Sequence, residues 1–425
     1  MRRRRSIAVA GVAVLAAVLG ACSGEPEQAE DSPPLEQLDL QREPQPDGDP
    51  LPEASAEDLW LPYQVDQLAL VEPPWPAASV QELGGVLLAA AESEGAVEFR
   101  AVDAEGTMLW WAQRPPSCTG FVLTTTSDGQ DLAVLADMEA PSDAVSTTVS
   151  GYDLHTGEEV WGPVDVPGPH LGPGLVFAQM PAQFGEPTGA VALDADSGQL
   201  LEAPEGAEVV GEYGGTVLTV DDSTLSALAP GDQGDLEVRW QLPLSEHGWS
   251  AEEVAAVAGT RPGVEVALLD VGTDGHVLVS LADGRVLADG VRDAAPDAAT
   301  GTVVLLEEQE MRGIDADGTQ LWSTETGPET EIQSVGGALV YLVDDGEVRV
   351  HNALTGEVAT AYDSQGSGEL AIPELIAPTG AVLLTAGEDA VLATTRPADP
   401  DAQEGAPADE GAPADEEAPA DEEGS

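Results

Sequence analysis

A short theme recurs along the chain and limits the architectures open to it. An aliphatic residue precedes an Asp or Asn, a turn closes on Gly, and Leu-Trp or Val-Trp follows. It reads Val102-Asp103-Ala104-Glu105-Gly106-Thr107-Met108-Leu109-Trp110, with a second copy from Tyr152-Asp153 through Gly157 to Val160-Trp161. A third runs from Ile314-Asp315 through Gly318 to Leu321-Trp322. Weaker copies surround Asp194 and Gly198, Asp283 and Gly284, and Asn352 and Gly356; a degenerate one runs from Leu228 through Gly234 to Trp240. Successive turn glycines, from 106 to 356, are separated by 51, 41, 36, 50, 34 and 38 residues. A near-fixed period of this size marks a repeat architecture in which each unit buries its apolar face against the next.

The local chemistry is that of a hairpin. Asx side chains bond the backbone two residues on and start turns, and Gly accepts the positive φ that closes them. The flanking runs are short and apolar or alternating, as in Val97–Ala101, Val217–Val220, Val277–Val279 and Val303–Leu306, which suits strands. Leu339–Val343, Asp345-Gly346 and Glu347–Val350 spell out a strand, a turn and a strand. The predicted fold is all-β: a β-propeller of four-stranded blades. Each Gly-centred turn joins the last two strands of a blade, and each Trp opens the outermost strand and packs between blades. Seven turns require seven blades. A further hairpin, Ala381–Leu384 with Val391–Thr394, lacks such a turn; an N-terminal strand at Trp60-Leu61 or Leu68–Val71 could complete it. Closing the ring with both chain ends removes exposed sheet edges, so eight blades are favoured over seven. Two β-sandwich domains are the alternative, disfavoured by the regular turns.

The turn resembles the repeat of the quinoprotein, or PQQ-like, β-propellers, over roughly Val80 to Thr395. Three copies carry Asx, Gly and Trp together: Asp103, Gly106 and Trp110; Asp153, Gly157 and Trp161; Asp315, Gly318 and Trp322. Of these, only the Asp153 copy has the family's Thr, and it has Val where the family has Leu. Asp194 with Gly198 and Asn352 with Gly356 lack the Trp at that spacing. The resemblance implies the fold and is weak on function. The superfamily includes quinoprotein dehydrogenases and also cofactor-free lipoproteins, such as the propeller subunit of the outer-membrane barrel-assembly machinery.

The chain opens on Met1-Arg2-Arg3-Arg4-Arg5 and an apolar run from Ile7 to Leu19. That is a secretory signal, too short for a bilayer span. Leu19-Gly20-Ala21-Cys22 resembles the bacterial lipoprotein box, which implies a diacylglyceryl thioether on Cys22 and cleavage before it. Two acyl chains suffice for stable anchoring. The expected organisation is a signal peptide over 1–21, an acidic Pro-rich linker over 22–57, the propeller over 58–396, and an acidic Ala/Pro-rich tail over 397–425. The linker and tail hold little to bury and are expected to be solvated.

The formal net charge is −65; removing 1–21, with its four Arg and no acid, gives −69. Such a field opposes nucleic acid and anionic lipid, which leaves membrane attachment to the acyl groups. The chain has no Lys and a single Asn, Asn352, with abundant Ala, Gly and Pro. This bias indicates a GC-rich bacterial genome, for which an actinobacterium is expected. Only Cys22 and Cys118 are present, so with Cys22 acylated no disulfide forms. Cys118 is expected to be a buried, inert thiol.

No catalytic constellation assembles. Without Lys there is no phosphate-loop lysine and no Schiff base. His155, His170, His247, His276 and His351 form no metal-ligand spacing. His155 is read as a solvated turn residue, His276 as a turn exit, and His351 as a core or interface residue. Asp315-Ala316-Asp317-Gly318 and Asp194-Ala195-Asp196 open like calcium loops, but they lack the distal Glu and coincide with repeat turns. The vicinal cysteines that the resemblance would imply for a quinone dehydrogenase are absent. The expected function is therefore a lipid-anchored, non-catalytic scaffold for an envelope protein, with no cofactor and no nucleic acid. A PQQ-dependent oxidoreductase and a solute-binding propeller are the alternatives. Two insertions, Pro163–Pro187 and Gln241–Pro262, are the expected contact loops.

Overall fold

The computed structural model describes residues 40–398, apart from 94, 117–119, 139–146, 181–187, 232–235, 258–264 and 274. The signal segment, Cys22, Cys118, Gly234, the ends of both insertions and the tail from 399 lie outside the described residues.

The chain folds as an eight-bladed β-propeller. Each blade is an antiparallel meander running from the ring centre outward. Blade 1 comprises Gln81–Leu83, Val86–Ser93, Ala96–Asp103 and Met108–Arg114, and blade 2 runs from Phe121–Thr125 to Glu159–Val166. Blade 4 runs from Glu208–Tyr213 to Leu236–Pro243, blade 5 from Ala255–Ala256 to Val286–Val291, and blade 6 from Asp293–Asp297 to Gln320–Glu325. Blade 8 is built from Ile372–Ile376, Val382–Ala386 and Asp389–Pro397, and its outermost strand is the N-terminal Leu68–Val71. The ring thus closes with strands from both ends of the chain. Of the two N-terminal candidates, Leu68–Val71 is the closing strand; Leu59–Trp60 instead pairs in parallel with Glu369–Leu370.

Blades 3 and 7 depart from the expected four strands. Blade 3 has Val176–Ala178, Ala190–Leu193 and Leu200–Leu201, and its innermost position holds only the His170–Phe177 bridge. Blade 7 has Glu331–Gly336, Leu339–Asp344 and Glu347–Asn352, and its outermost position holds only the His351–Val358 bridge. Both lack the Trp that sits in the outer strands of blades 1, 2, 4 and 6.

The interior is a circle of apolar seams between neighbouring blades. At four seams an indole makes the join. Trp110, Trp161, Trp240 and Trp322 are all buried. Each indole N–H donates, at 2.8 Å, to a main-chain carbonyl in the turn of the following blade: Leu154, Ala195, Leu281 and Ala353. Each acceptor lies three residues before a turn glycine, namely Gly157, Gly198, Gly284 and Gly356. The rings lie so close that a Cβ added at Gly198 would stand 2.4 Å from Trp161, and one at Gly284 2.6 Å from Trp240.

Within its own blade each Trp pairs with a small residue on the third strand: Ala101, Gly151, Ala227 and Gly313. The indole is held between two positions that have almost no side chain. A bulge beside each pair skips the residue before the Trp, which bends the outer strand there.

Turn length follows the same logic. Gly157, Gly198, Gly284 and Gly356 each donate their N–H to a carbonyl four residues back: Asp153, Asp194, Ser280 and Asn352. These four turns receive a Trp. Gly106 and Gly318 donate to Asp103 and Asp315, three residues back. Those shorter turns receive aliphatic groups instead, from Val71 and Thr394 at Gly106 and from Leu287 at Gly318.

Residues 40–57, expected as solvated linker, instead pack on the ring. Gln45–Pro46 adds a fifth strand to blade 1, opposite Trp111 and Trp110. Asp47 N–H donates to Leu109 O at 3.0 Å and Leu51 N–H to Gly106 O at 2.9 Å. Farther along, Ala54 N–H donates to Leu70 O at 3.0 Å. The segment's Pro residues suit this role, because an edge strand tolerates a missing donor.

The clamp predicts a graded response. Gly198 and Gly206 both have positive φ, 68° and 82°, but nothing lies within 4 Å of an added Cβ at Gly206. Gly206→Ala should cost only the backbone term, about 1–2 kcal/mol. Gly198→Ala should add overpacking of about 1–3 kcal/mol. Urea midpoints of the two variants will measure the difference, and equal midpoints would remove the clamp.

Candidate functional site

The motif residues meet in pairs between blades. Asp103 Oδ1 accepts the N–H of Glu105 and Thr107, and Asp315 Oδ1 those of Asp317 and Thr319. Asp153 Oδ1 accepts His155 and Thr156 N–H, and Asn352 Oδ1 those of Leu354 and Thr355. Asp194 accepts Asp196 N–H at 3.1 Å and Ser197 Oγ–H at 2.7 Å. These oxygens are engaged in shaping turns. Among the described residues no three His, Cys, Asp or Glu side chains are placed to hold a metal ion. No described helix is long and apolar enough to cross a membrane.

The histidines divide by environment. His155 is exposed, 3.7 Å from the Asp131 carboxylate. His351 is buried, its Nδ1 2.9 Å from Gly356 O. His170 is exposed along one side but lies edge-on against Phe177, with Nε2 2.8 Å from Gly174 O, and the desolvation on its packed side pushes its pKa down. His276 opens the third strand of blade 5, and its Nδ1 is buried without a hydrogen-bond partner. His247 stacks on Trp249 at 4.6 Å.

The described parts of the two insertions do different work. In Gln241–Pro262 a short helix, Leu244–His247, turns Leu244 into the seam between blades 4 and 5, and Val254 joins it there. That loop seals a core. In Pro163–Pro187, Leu171 and Met180 are exposed, so apolar surface is presented outward.

A broad concave surface lies elsewhere. A cleft of about 1040 Å³ opens between blades 5 and 6, framed by Asp289, Arg292, Glu307, Glu308, Glu310 and Glu325. Arg292 Nη2 donates to Thr330 O at 3.0 Å, while its Nη1 is buried without a hydrogen-bond partner. Arg312 is committed to Glu307 at 2.7 Å. A second cleft of about 350 Å³ adjoins it between blades 6 and 7, and Thr324 and Glu325 belong to both. Asp344 here accepts from Arg349 at 2.8 Å and from Thr330 Oγ1 at 3.2 Å. Three blades therefore share one depression with a carboxylate-rich rim. Sequence reasoning passed over it, because its parts are strand ends and turns far apart in the chain; the run Glu307-Glu308-Gln309-Glu310 was the available signal.

One buried acid stands apart from these surfaces. Glu212, on the innermost strand of blade 4, accepts Leu175 N–H at 2.9 Å and Gly215 N–H at 2.5 Å. It ties blade 3 to the first turn of blade 4. Burial pushes its carboxyl above the ordinary 4.5, against those two donors.

No family model matches the chain, and no curated protein matches it in sequence. Solved structures do resemble it. BamB from Moraxella catarrhalis is similar at a TM-score of 0.39 and 14% identity, over 77% of this chain and 96% of that one. The computationally designed Ika8 protein gives 0.39 and 15%, over 80% and 99%. Apo AztD from Citrobacter koseri gives 0.35 and 14%, over 67% and 95%.

Glu212 predicts a pH dependence with a definite sign. The folded state holds its proton longer than the unfolded chain does, so this residue's contribution to stability falls as pH rises above 4.5. Below that value both states are protonated and the penalty vanishes. The stability of the wild type minus that of Glu212→Gln should therefore decrease from pH 4 upward, read from paired urea titrations. A difference that rises with pH would refute the assignment.

Proposed function

We propose that this chain is a lipid-anchored, extracytoplasmic β-propeller that acts as a non-catalytic protein-binding scaffold at the bacterial cell envelope. The observation that carries the reading is the depression shared by blades 5, 6 and 7, concave and rimmed with carboxylates. Loops and strand ends on a rigid support are where recognition concentrates. The support is stiffened at four of its seams, where an indole fixes the turn of one blade against its neighbour. The depression is more polar than a small-molecule pocket, in which apolar and aromatic side chains predominate. Its scale suits a segment of a protein.

The anchor follows from the sequence around Cys22. The apolar run before it matches a secretory signal, and the acidic chain has no electrostatic means of holding a membrane. Acylation supplies the attachment, and about 17 residues, Ser23 to Asp39, separate Cys22 from the described fold. Fully extended, they reach roughly 60 Å. That length is enough to let a partner reach the depression without the lipid in the way.

Expression of the full chain in a bacterial host tests the anchor. Wild type should fractionate with membranes, and Cys22→Ala should appear in the soluble extracytoplasmic fraction. Unchanged membrane retention would overturn the assignment. Titration of the purified protein with PQQ and calcium tests the non-catalytic reading. No saturable quinone absorption band and no binding heat are expected; either one, together with dye reduction, would favour an oxidoreductase.

A further inference from the structure

Blade 7 ends on an open strand. Its third strand, Glu347–Asn352, pairs along its full length with Leu339–Asp344. On the outer side only the final residues are engaged. Asn352 N–H donates to Glu357 O, and Ala359 N–H to Val350 O, both at 2.8 Å. The chain then leaves the blade: Ala361 O accepts Tyr63 N–H at 2.8 Å, and Tyr362 O–H donates to Ala371 O at 2.9 Å. Main-chain groups in an antiparallel strand alternate sides. Those of Val348, like those of Val350 and Asn352, therefore face outward. Among the described residues no hydrogen bond reaches the Val348 N–H and C=O, or the Val350 N–H, from that side.

The surroundings fit a missing strand. The cleft of about 350 Å³ borders this edge, and the buried Thr326 Oγ1 beside it has no partner. Val358 is 78% exposed, Leu354 50% and Leu321 48%. Leu321 and Leu354 are next in sequence to the bonded pair Trp322 and Ala353. Val358, bridged to His351 and lining the cleft, puts an apolar ledge beside the unpaired backbone. Glu325, Glu347 and Glu357 are exposed around it, and Arg349, the local cation, is already paired with Asp344.

We propose that the outer edge of blade 7 is a docking site for an extended, basic segment of a partner protein, which completes the blade as its fourth strand. Strand addition supplies affinity through main-chain bonds and specificity through alternate side chains. The charge selects the occupant. A second copy of this chain carries the same −65, and the acidic tail from 399 contains no Lys or Arg. A segment alternating apolar residues with Lys or Arg would seat one face on the ledge and offer the other to Glu325 and Glu357. This deepens the scaffold reading and rests on it.

The test uses the full chain and a labelled peptide of alternating Val and Lys, with two controls at about 0.15 M salt: a Val and Glu peptide, and a Val and Lys peptide carrying Pro at alternate positions. Binding of the first peptide alone is expected, with amide-exchange protection at Val348 and Val350. Val348→Pro removes the outward donor and breaks no bond to the second strand; it should weaken binding at least tenfold. Should that variant fold poorly, the surface pair Glu325→Lys with Glu357→Lys should have the same effect. Binding that survives the charge reversal, or that protects no edge amide, would overturn the proposal. So would a rise in Val348 exchange on removing residues 399–425, which would make the tail the occupant, or a wild-type dimer abolished by Val348→Pro. If envelope proteins captured on wild type are captured equally on Val348→Pro, the edge assignment falls and the scaffold stands. If wild type captures none, the scaffold reading falls as well.

Discussion

The indole wedged between two near-absent side chains is the contact on which the ring depends. A propeller blade is a small sheet whose two faces must both be covered, and only its neighbours can cover them. At four seams the cover is the same device: Trp on an outer strand, Gly or Ala opposite it in its own blade, and a turn Gly in the next. The small residues let the ring lie flat against backbone. Its N–H then reaches a carbonyl that burial would otherwise leave unsatisfied. Removing such an indole would cost about 3–5 kcal/mol by cavity arguments, a large share of the stability of an ordinary domain.

The device also accounts for the two lengths of turn. Turns that accept an indole span one more residue between the bonded carbonyl and Gly than turns that accept aliphatic groups. The extra residue brings a free carbonyl to the seam. Blades 3 and 7, which lack the Trp, have an outer strand of two residues and a bridge, whereas blade 5, with Leu287 in that strand, keeps the full Val286–Val291. Another part of the chain takes over some of the lost cover. Trp60, on the N-terminal segment, packs edge-on against Tyr362 at 5.7 Å, and Tyr341 donates to Gln64 at 3.0 Å. Segment 40–71 therefore works as a second closure. It adds a strand to blade 1, braces blade 7, and supplies the last strand of blade 8.

The turns announced the fold because Asx and Gly are required by local backbone geometry, and local requirements leave a readable pattern. Six of the turn glycines sit between, or just after, third strands as their spacing implied: Gly106, Gly157, Gly198, Gly284, Gly318 and Gly356. The pairing of each Trp was not readable. In sequence Trp161 belongs with Gly157, four residues earlier; in space it covers Gly198. The partner glycines lie 47, 37, 44 and 34 residues after their Trp, and nothing local encodes that jump. The segment 40–57 was misjudged for a related reason. Its Pro and acidic residues resemble solvated linker, yet Pro46 sits at a sheet edge where its missing donor costs nothing. The cleft was hidden because it is made by three blades jointly.

Charge sets the terms on which such a ring can meet anything. Self-repulsion in so acidic a chain works against the compact state, and the clamps must outweigh it. The same field draws cations from a distance, but at physiological ionic strength it is screened beyond about 8 Å. Long-range attraction can therefore speed the arrival of a basic partner without choosing among basic partners. Choice has to come from short-range features that most blades do not have. Among the described residues, blades 1, 2, 4, 5, 6 and 8 carry a strand at the outermost position of the meander and blade 3 a two-residue one, whereas in blade 7 that position is reduced to a bridge. A propeller with eight equivalent blades would offer a partner eight equivalent edges; an irregular blade breaks that equivalence.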